Sequence, residues 1–309
     1  MRSQTQGAAV EARVWLWPGS DLLEEAVRRG GGSVVPLDRA NAIVCTGDDV
    51  ELLRRSVSSA IRWVQLGAAG IEMWFEAGVM TPDVVWTAAK GVYARPIAEH
   101  VLALILAAAR DLPARSRARA WGTAGGRLVT GTTVGIVGSG GAGTELIGLL
   151  SSFGVRTLAL TRSAGVVPGA DRSLGPAELP LLLAESDFVV LTAALTRETQ
   201  LLISADTLSL MRRDAWLINV SRGGLVDTDA LVEALEAGTI GGAALDATDP
   251  EPLPDDHVLW TLPNVVITPH VASTPAMGAP FLALRVEENV RRFVGGEQLL
   301  GVVDLSIGY

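Results

Sequence analysis

Short apolar runs alternate with helical patterns along the first third of the chain. Residues 14–17, 42–45, 61–66 and 84–87 read as strands. Between them, residues 21–28 carry a helical pattern that Ser20 is suited to cap. Residues 48–58 place Leu52, Leu53 and Val57 on one helical face. Strands alternating with helices predict a parallel sheet covered on both faces. A longer helical pattern spans 96–110, with Pro96 in its first turn and Pro113 ending it. Residues 114–127 are basic and read as loop. A second alternating region opens at Thr133 and runs to about His270. The pattern changes again over 277–294, where Val286, Val290, Phe293 and Val294 share one face and Gly295-Gly296 ends the helix. The expected fold is therefore α/β in two lobes, the last helix returning to the first.

Bulk properties narrow the function. A chain of 309 residues exceeds what one core usually fills, and 49 % hydrophobic residues are enough for two. The formal charge of −9 disfavours nucleic acid or an anionic membrane surface as a partner. The strongest apolar run, 101–109, falls short of the roughly 20 residues a membrane span needs. Residues 1–13 lack the apolar stretch of a signal peptide. The single cysteine, Cys45, cannot close an internal disulfide and reads as a packed strand residue, which suits a reducing cytoplasm. No metal site is expected. Five of the eight tryptophans precede residue 90 and read mainly as core, although some are candidates to line a cleft.

The strand 133–137 runs straight into Gly138-Ser139-Gly140-Gly141-Ala142-Gly143, and a helix and a strand at 157–160 follow. This is the strand–GxGxxG–helix–strand context of a dinucleotide site. Gly138 serves the tight turn, Gly140 the approach of a pyrophosphate, and Gly143 close helix–strand packing. The helix N-terminus supplies free N–H groups and a positive dipole end. At the end of the second strand, Thr161 stands where a carboxylate would hold a ribose 2′-hydroxyl. Arg162 and Ser163 follow. A guanidinium with neighbouring hydroxyls suits a 2′-phosphate, so NADP is preferred over NAD.

Three histidines are present. His100 lies within the 96–110 helix and reads as structural. His257 lies in a Pro/Asp-rich loop and reads as exposed. His270 directly follows the strand 265–268, at the carboxyl end where open α/β sheets place ligands, and is the best general acid/base. A carboxylate beside it, as Glu251 offers, favours its protonated form. Arg222, also just past an apolar strand, presents a fork of donors suited to a substrate carboxylate.

The stretches VGIVGSGGAG, LINVSRGGLVD, GAALDATDPEPLP and NVVITPH resemble, in order, the signatures of D-isomer-specific 2-hydroxyacid dehydrogenases, a group that includes glyoxylate/hydroxypyruvate reductases and phosphoglycerate dehydrogenases. VQLGAAGIE and GVYARPIAEHVLALIL extend the resemblance over about 61–270. It implies a Rossmann-type cofactor domain, 98–273, and a smaller flavodoxin-like substrate domain, 1–97 with 274–309. It implies Arg222 on the substrate carboxylate and carbonyl, Glu251 paired with His270, and His270 exchanging a proton with the substrate oxygen. Asp246 would meet the nicotinamide carboxamide, and Gly141 and Ala142 the pyrophosphate. Val220 and Ser221 would lie on the nicotinamide side. The Ala69-Gly70 turn would give N–H groups to the substrate carboxylate. Homodimers are usual.

The chain departs from the pattern in places. Thr192 and Ala194 stand where many relatives carry histidine and proline. Tyr93 stands where phosphoglycerate-type members often have asparagine, which with no regulatory domain expected past Tyr309 argues against phosphoglycerate. Glu251 rather than glutamine argues against formate oxidation. The competing reading is a nucleotide-sensing regulatory module, as in corepressors of the same fold. The lack of basic or disordered tails favours the enzyme, reducing a small 2-keto acid or oxidising the D-2-hydroxy acid. A bulkier acid is a third reading.

Overall fold

The computed structural model describes residues 11–122 and 124–306. The expectations for the first ten residues and for Tyr309 lie outside them. Two compact units divide the chain: Met1–Tyr93 with Pro275–Tyr309, and Ala94–Thr274. No helix among the described residues is long and apolar enough to cross a membrane.

The first unit is built on strands β1 (Arg13–Trp17), β2 (Ser33–Val34), β3 (Ala42–Cys45), β4 (Trp63–Leu66) and β5 (Val85–Thr87), with helices α1 (Asp21–Arg29), α2 (Val50–Ser56) and α3 (Glu72–Glu76). The sheet is parallel throughout, in the order β2-β1-β3-β4-β5. That is the flavodoxin-like arrangement. All four residues of β3 and of β4 are buried; β3 is an unbroken apolar run, and β4 is apolar but for the buried Gln65. Ser20 caps α1 by accepting from the Leu23 amide, and Asp49 caps α2 by accepting from Leu52. Trp63, Trp74 and Trp86 are core residues rather than cleft walls. Cys45 is buried, and burial pushes its thiol up to about 11. It is therefore no nucleophile near neutral pH.

The second unit contains α4 (Ala94–Ala109), α5 (Leu112–Arg117), β6 (Thr133–Val137), α6 (Gly141–Leu150), β7 (Arg156–Leu160), β8 (Arg172–Leu174), α7 (Leu179–Glu185), β9 (Phe188–Leu191), α8 (Ala205–Ser209), β10 (Trp216–Asn219), α9 (Thr228–Glu236), β11 (Gly242–Leu245) and β12 (Val265–Ile267). Its parallel sheet has the order β12-β11-β10-β9-β6-β7-β8. This is the doubly wound dinucleotide-binding order with a seventh strand added. The chain winds outward from β6 to β8, then restarts at β9 on the other side of β6. Ligands of open α/β sheets bind in the crevice at such a reversal.

Residues 112–117 correct the loop expected over 114–127. Asp111 takes a left-handed conformation (φ 52°) that ends the α4 run, and Pro113 sits in the first turn of α5, where its missing N–H has no partner to lose. The proline opens a second short helix as well as closing the first.

The last helix, α10 (Pro275–Gly295), packs on α1 in the first unit. Its buried Asn289 donates to Gln65 Oε1 (2.8 Å) and to Leu300 O (3.0 Å) and accepts from Leu300 N (2.8 Å). The amide is thus satisfied inside an apolar core.

A carboxylate at the start of β8 predicts a pH signature. Asp171 accepts from the Thr157 amide (2.7 Å) and the Thr157 hydroxyl (2.9 Å). The amide first, then the hydroxyl, hold its carboxyl below the ordinary value. A depressed folded-state value contributes stability above the unfolded pKa, and that contribution is lost as pH falls through the folded value. Asp171→Asn should therefore melt below wild type at pH 7, the gap closing as pH falls below about 4. A gap independent of pH between 7 and 3 would contradict this.

Candidate active site

Strand register brings the distant motifs into one row. Val137 pairs with Leu160 on one side and Leu191 on the other. Leu191 pairs with Asn219, Asn219 with Leu245, and Leu245 with Ile267. The next residues, Thr161, Gly138, Thr192, Val220, Asp246 and Thr268, therefore leave the sheet side by side at its carboxyl edge. Every candidate of this unit, Glu251 included, lies within five positions of that row.

The Gly-rich turn has the form a phosphate group needs. Gly138 lies at φ 97°, a conformation L side chains rarely adopt. A Cβ on Gly143 would stand 2.4 Å from Gly138 O, so the contact of α6 with the turn requires glycine. A Cβ on Gly140 would meet nothing within 4 Å. The open space beside Gly140 is what an approaching pyrophosphate would occupy. Gly140 also heads α6 without a side-chain cap, leaving the first-turn residues Gly141, Ala142 and Gly143 to offer N–H groups outward. Ser139 Oγ is buried with no hydrogen-bond partner, a second polar group awaiting one. Thr192 donates to Gly138 O and so ties the turn to β9. At the end of β7, Thr161 and Ser163 hydroxyls lie 3.4 Å apart, with Arg162 exposed between them.

Asp246 organises the other half of the row. It is buried, and its carboxylate accepts three hydrogen bonds: Thr268 Oγ1 (2.6 Å) and Val271 N (2.9 Å) on Oδ1, and Ala272 N (2.9 Å) on Oδ2. Its main-chain oxygen takes the His270 amide at 2.9 Å. Charge-assisted bonds of this kind are worth about 1.5–3 kcal/mol each. Together they hold residues 268–272 in a tight turn in which His270 adopts φ 53°. Such a backbone state persists only when its surroundings over-determine it.

His270 Nδ1 lies 2.7 Å from Glu251 Oε1. Both side chains are more than two-fifths exposed, so the pair adds little stability. Its effect is orientation: Nδ1 is committed to the carboxylate, leaving Nε2 as the ring nitrogen for a substrate. His257, by contrast, accepts from the Leu259 amide and caps a short turn.

Arg222 leaves β10 through a braced loop. Asn219, 1 % exposed, donates to Arg222 O (2.9 Å) and accepts from Ser221 N (3.1 Å), while Ser221 Oγ donates to Ala193 O. Arg222 Nη1 donates to Ser221 O (2.9 Å). Val220 is buried at the start of this loop. Ala69 and Gly70 belong to the first unit, in the turn after β4, where Gly67 O accepts from the Tyr93 hydroxyl and Ala68 O from the Ala89 amide. The structure thus brings His270 into contact with Glu251 and ties the His270 amide to Asp246. Asn219, Thr268 and Ser139 are the residues motif reading missed. Asn219 and Thr268 lie inside quoted motifs, so the polar side chain at a strand end was the available signal.

The chain matches the family described as D-isomer specific 2-hydroxyacid dehydrogenase, NAD binding domain, over residues 102–272. It is 39 % identical over 292 residues to a Corynebacterium melassecola protein described as uncharacterized, covering 92 % of this chain and 95 % of that one. It is 38 % identical over 231 residues to a glyoxylate reductase of Thermococcus kodakarensis, 70 % of this chain and 66 % of the reductase. Just under two thirds of that enzyme is therefore spanned. Among solved structures, an NADPH-dependent glyoxylate/hydroxypyruvate reductase of Sinorhizobium meliloti, bound to NADP and sulfate, aligns with a TM-score of 0.82 and 26 % identity over 97 % of this chain and 100 % of that one.

Two glycine substitutions should separate fold from ligand. Gly143→Ala should lower the melting temperature. Gly140→Ala should leave it unchanged and weaken NADPH binding about tenfold or more, a change of about 1.4 kcal/mol, by calorimetric titration. Unchanged affinity in Gly140→Ala would remove the pyrophosphate from this turn.

Proposed function

This chain belongs to the D-isomer specific 2-hydroxyacid dehydrogenases, and from that premise we propose that it reduces a small 2-keto acid of the glyoxylate or hydroxypyruvate type to the D-2-hydroxy acid. It is an oxidoreductase whose cofactor is NAD or NADP. The observation that carries the reading is the His270–Glu251 contact at the carboxyl edge of the dinucleotide-binding sheet.

When bound, the reduced nicotinamide supplies a hydride to the substrate's carbonyl carbon. Arg222 holds the substrate carboxylate and polarises the carbonyl through its fixed fork of donors. As the C=O π bond breaks, His270 Nε2 passes its proton to the oxygen, and Glu251 stabilises the imidazolium that precedes the transfer. In the oxidative direction His270 takes that proton back. Asp246 holds the turn that carries His270, and its Oδ2, which accepts one hydrogen bond, keeps acceptor capacity for the nicotinamide carboxamide.

NADP is the preferred cofactor in this reading. Thr161 removes the carboxylate that would repel a 2′-phosphate, and exposed Arg162 with Ser163 offers it charge and a hydroxyl. The NADP bound in the Sinorhizobium meliloti enzyme supports the same choice. A homodimer through the cofactor unit is also proposed. Trp121 is fully exposed and lines a concavity of about 900 Å³, and Leu128, seven residues on, is 74 % exposed.

Three measurements check these points. Initial rates of NADPH and NADH oxidation with a panel of 2-keto acids should show turnover, and His270→Ala should lose about 10²–10⁴-fold. A fully active His270→Ala would sink the acid/base role. Arg162→Ala should cut the preference for NADPH over NADH about 10–100-fold, as losing a charge-assisted contact implies. An unchanged preference would contradict the 2′-phosphate role. Trp121→Ala should shift the mass measured by light scattering from two chains toward one, whereas a monomeric wild type would refute the dimer.

A further inference from the structure

The mechanism above leaves one buried arrangement unused. His100, on α4, places Nε2 3.1 Å from Thr268 Oγ1 and 3.6 Å from Asp246 Oδ1. Its side chain is 21 % exposed, and all three residues belong to the same unit. Thr268 has a single hydroxyl proton, and the 2.6 Å contact gives that proton to Asp246. Toward His100 the hydroxyl is therefore an acceptor only, and His100 must carry its proton on Nε2. The direction of each bond is fixed: His100 Nε2–H donates to Thr268, Thr268 O–H donates to Asp246, and the amides of Val271 and Ala272, the two residues after His270, donate to the same carboxylate.

We propose that His100 is a positioning residue for the acid/base turn, orienting the Thr268 hydroxyl so that its proton is committed to Asp246. Without a donor at that position the hydroxyl can rotate its proton away from Asp246, which leaves Oδ1 with the Val271 amide alone. The inference rests on the reading of His270 as the general acid/base. It makes no use of His100 as a proton carrier. His100 has no contact with the reacting atoms in this scheme; it acts through Thr268 and Asp246.

Two independent readouts test it. In the ligand-free protein, long-range ¹H–¹⁵N correlation spectra at pH 8 resolve the tautomers of the chain's three histidines, with His100→Gln assigning one set of signals. His100 is expected as the Nε2–H tautomer, with its Nε2 resonance moved by Thr268→Val. An Nδ1–H tautomer, or an Nε2 signal indifferent to Thr268→Val, would overturn the proposal whether or not a substrate is known.

In kinetics, His100→Leu is expected to lower kcat about tenfold, the scale of a small misplacement of a catalytic group, with the keto-acid KM changed less than about twofold. His100→Gln keeps an N–H donor on a side chain of similar reach and should restore most of the rate. Thr268→Val should match His100→Leu, and the double variant should be no slower than either, because both break one chain of contacts. If His100→Leu does not fold, the Gln and Val variants carry the comparison: a fast Gln variant with a slow Val variant supports the relay. A Gln variant as slow as Leu or Val, or strictly additive losses, would overturn it. If wild type turns over no keto acid, the substrate reading fails, while the spectra still decide the tautomer.

Discussion

A buried carboxylate with every oxygen engaged is the constraint on which the site depends. Asp246 stands at the end of β11, in the middle of the half-sheet that carries Arg222 and His270. Burying a charge is tolerable only when hydrogen bonds replace its water, and here two amides and a hydroxyl do so. The same bonds hold His270 in a left-handed backbone state that the histidine would not hold by itself. Stability and geometry are thus supplied by one group: the donors that make Asp246 tolerable are those that shape the turn carrying His270.

The sheet makes this local arrangement useful. Six parallel strands in register deliver Thr161, Gly138, Thr192, Val220, Asp246 and Thr268 to a single edge, with the reversal of winding between β6 and β9 in their midst. One half of that edge presents glycines, a helix N-terminus and an unpartnered hydroxyl, suited to phosphate. The other half presents a histidine, a carboxylate and an arginine, suited to proton transfer beside a carboxylate substrate. A dinucleotide lying along the edge would bring its two ends to these two halves. The exposure of the His270–Glu251 pair means that it contributes little to bracing the fold and is open to a ligand.

Much of this was legible in the residues. Strands buried on both faces leave largely apolar runs, so β3, β4 and β6 are visible at once, and the Gly-rich turn is fixed by the strand before it and the helix after it. Glu251 and His270 were readable because each follows a strand end, where such sheets place chemistry. Strands β2 and β8 were not, since two or three residues of mixed polarity carry no periodicity. Helix α5 was hidden by Pro113, which reads equally as a stop and as a first-turn residue. His100 illustrates the harder limit. It sits on an apolar helix face, 168 positions from its partner Thr268, and nothing local distinguishes it from a packed core histidine.

Amide hydrogen exchange in the ligand-free protein tests the central claim most directly. Val271 and Ala272 lie in a short connection between a strand and a helix, outside any backbone ladder, where amides ordinarily exchange quickly. If the Asp246 carboxylate holds the turn, both amides should be protected in wild type and lose that protection in Asp246→Ala, while the amides of β10 and β11 keep theirs. Fast exchange at Val271 and Ala272 in wild type would mean that Asp246 does not hold the acid/base turn.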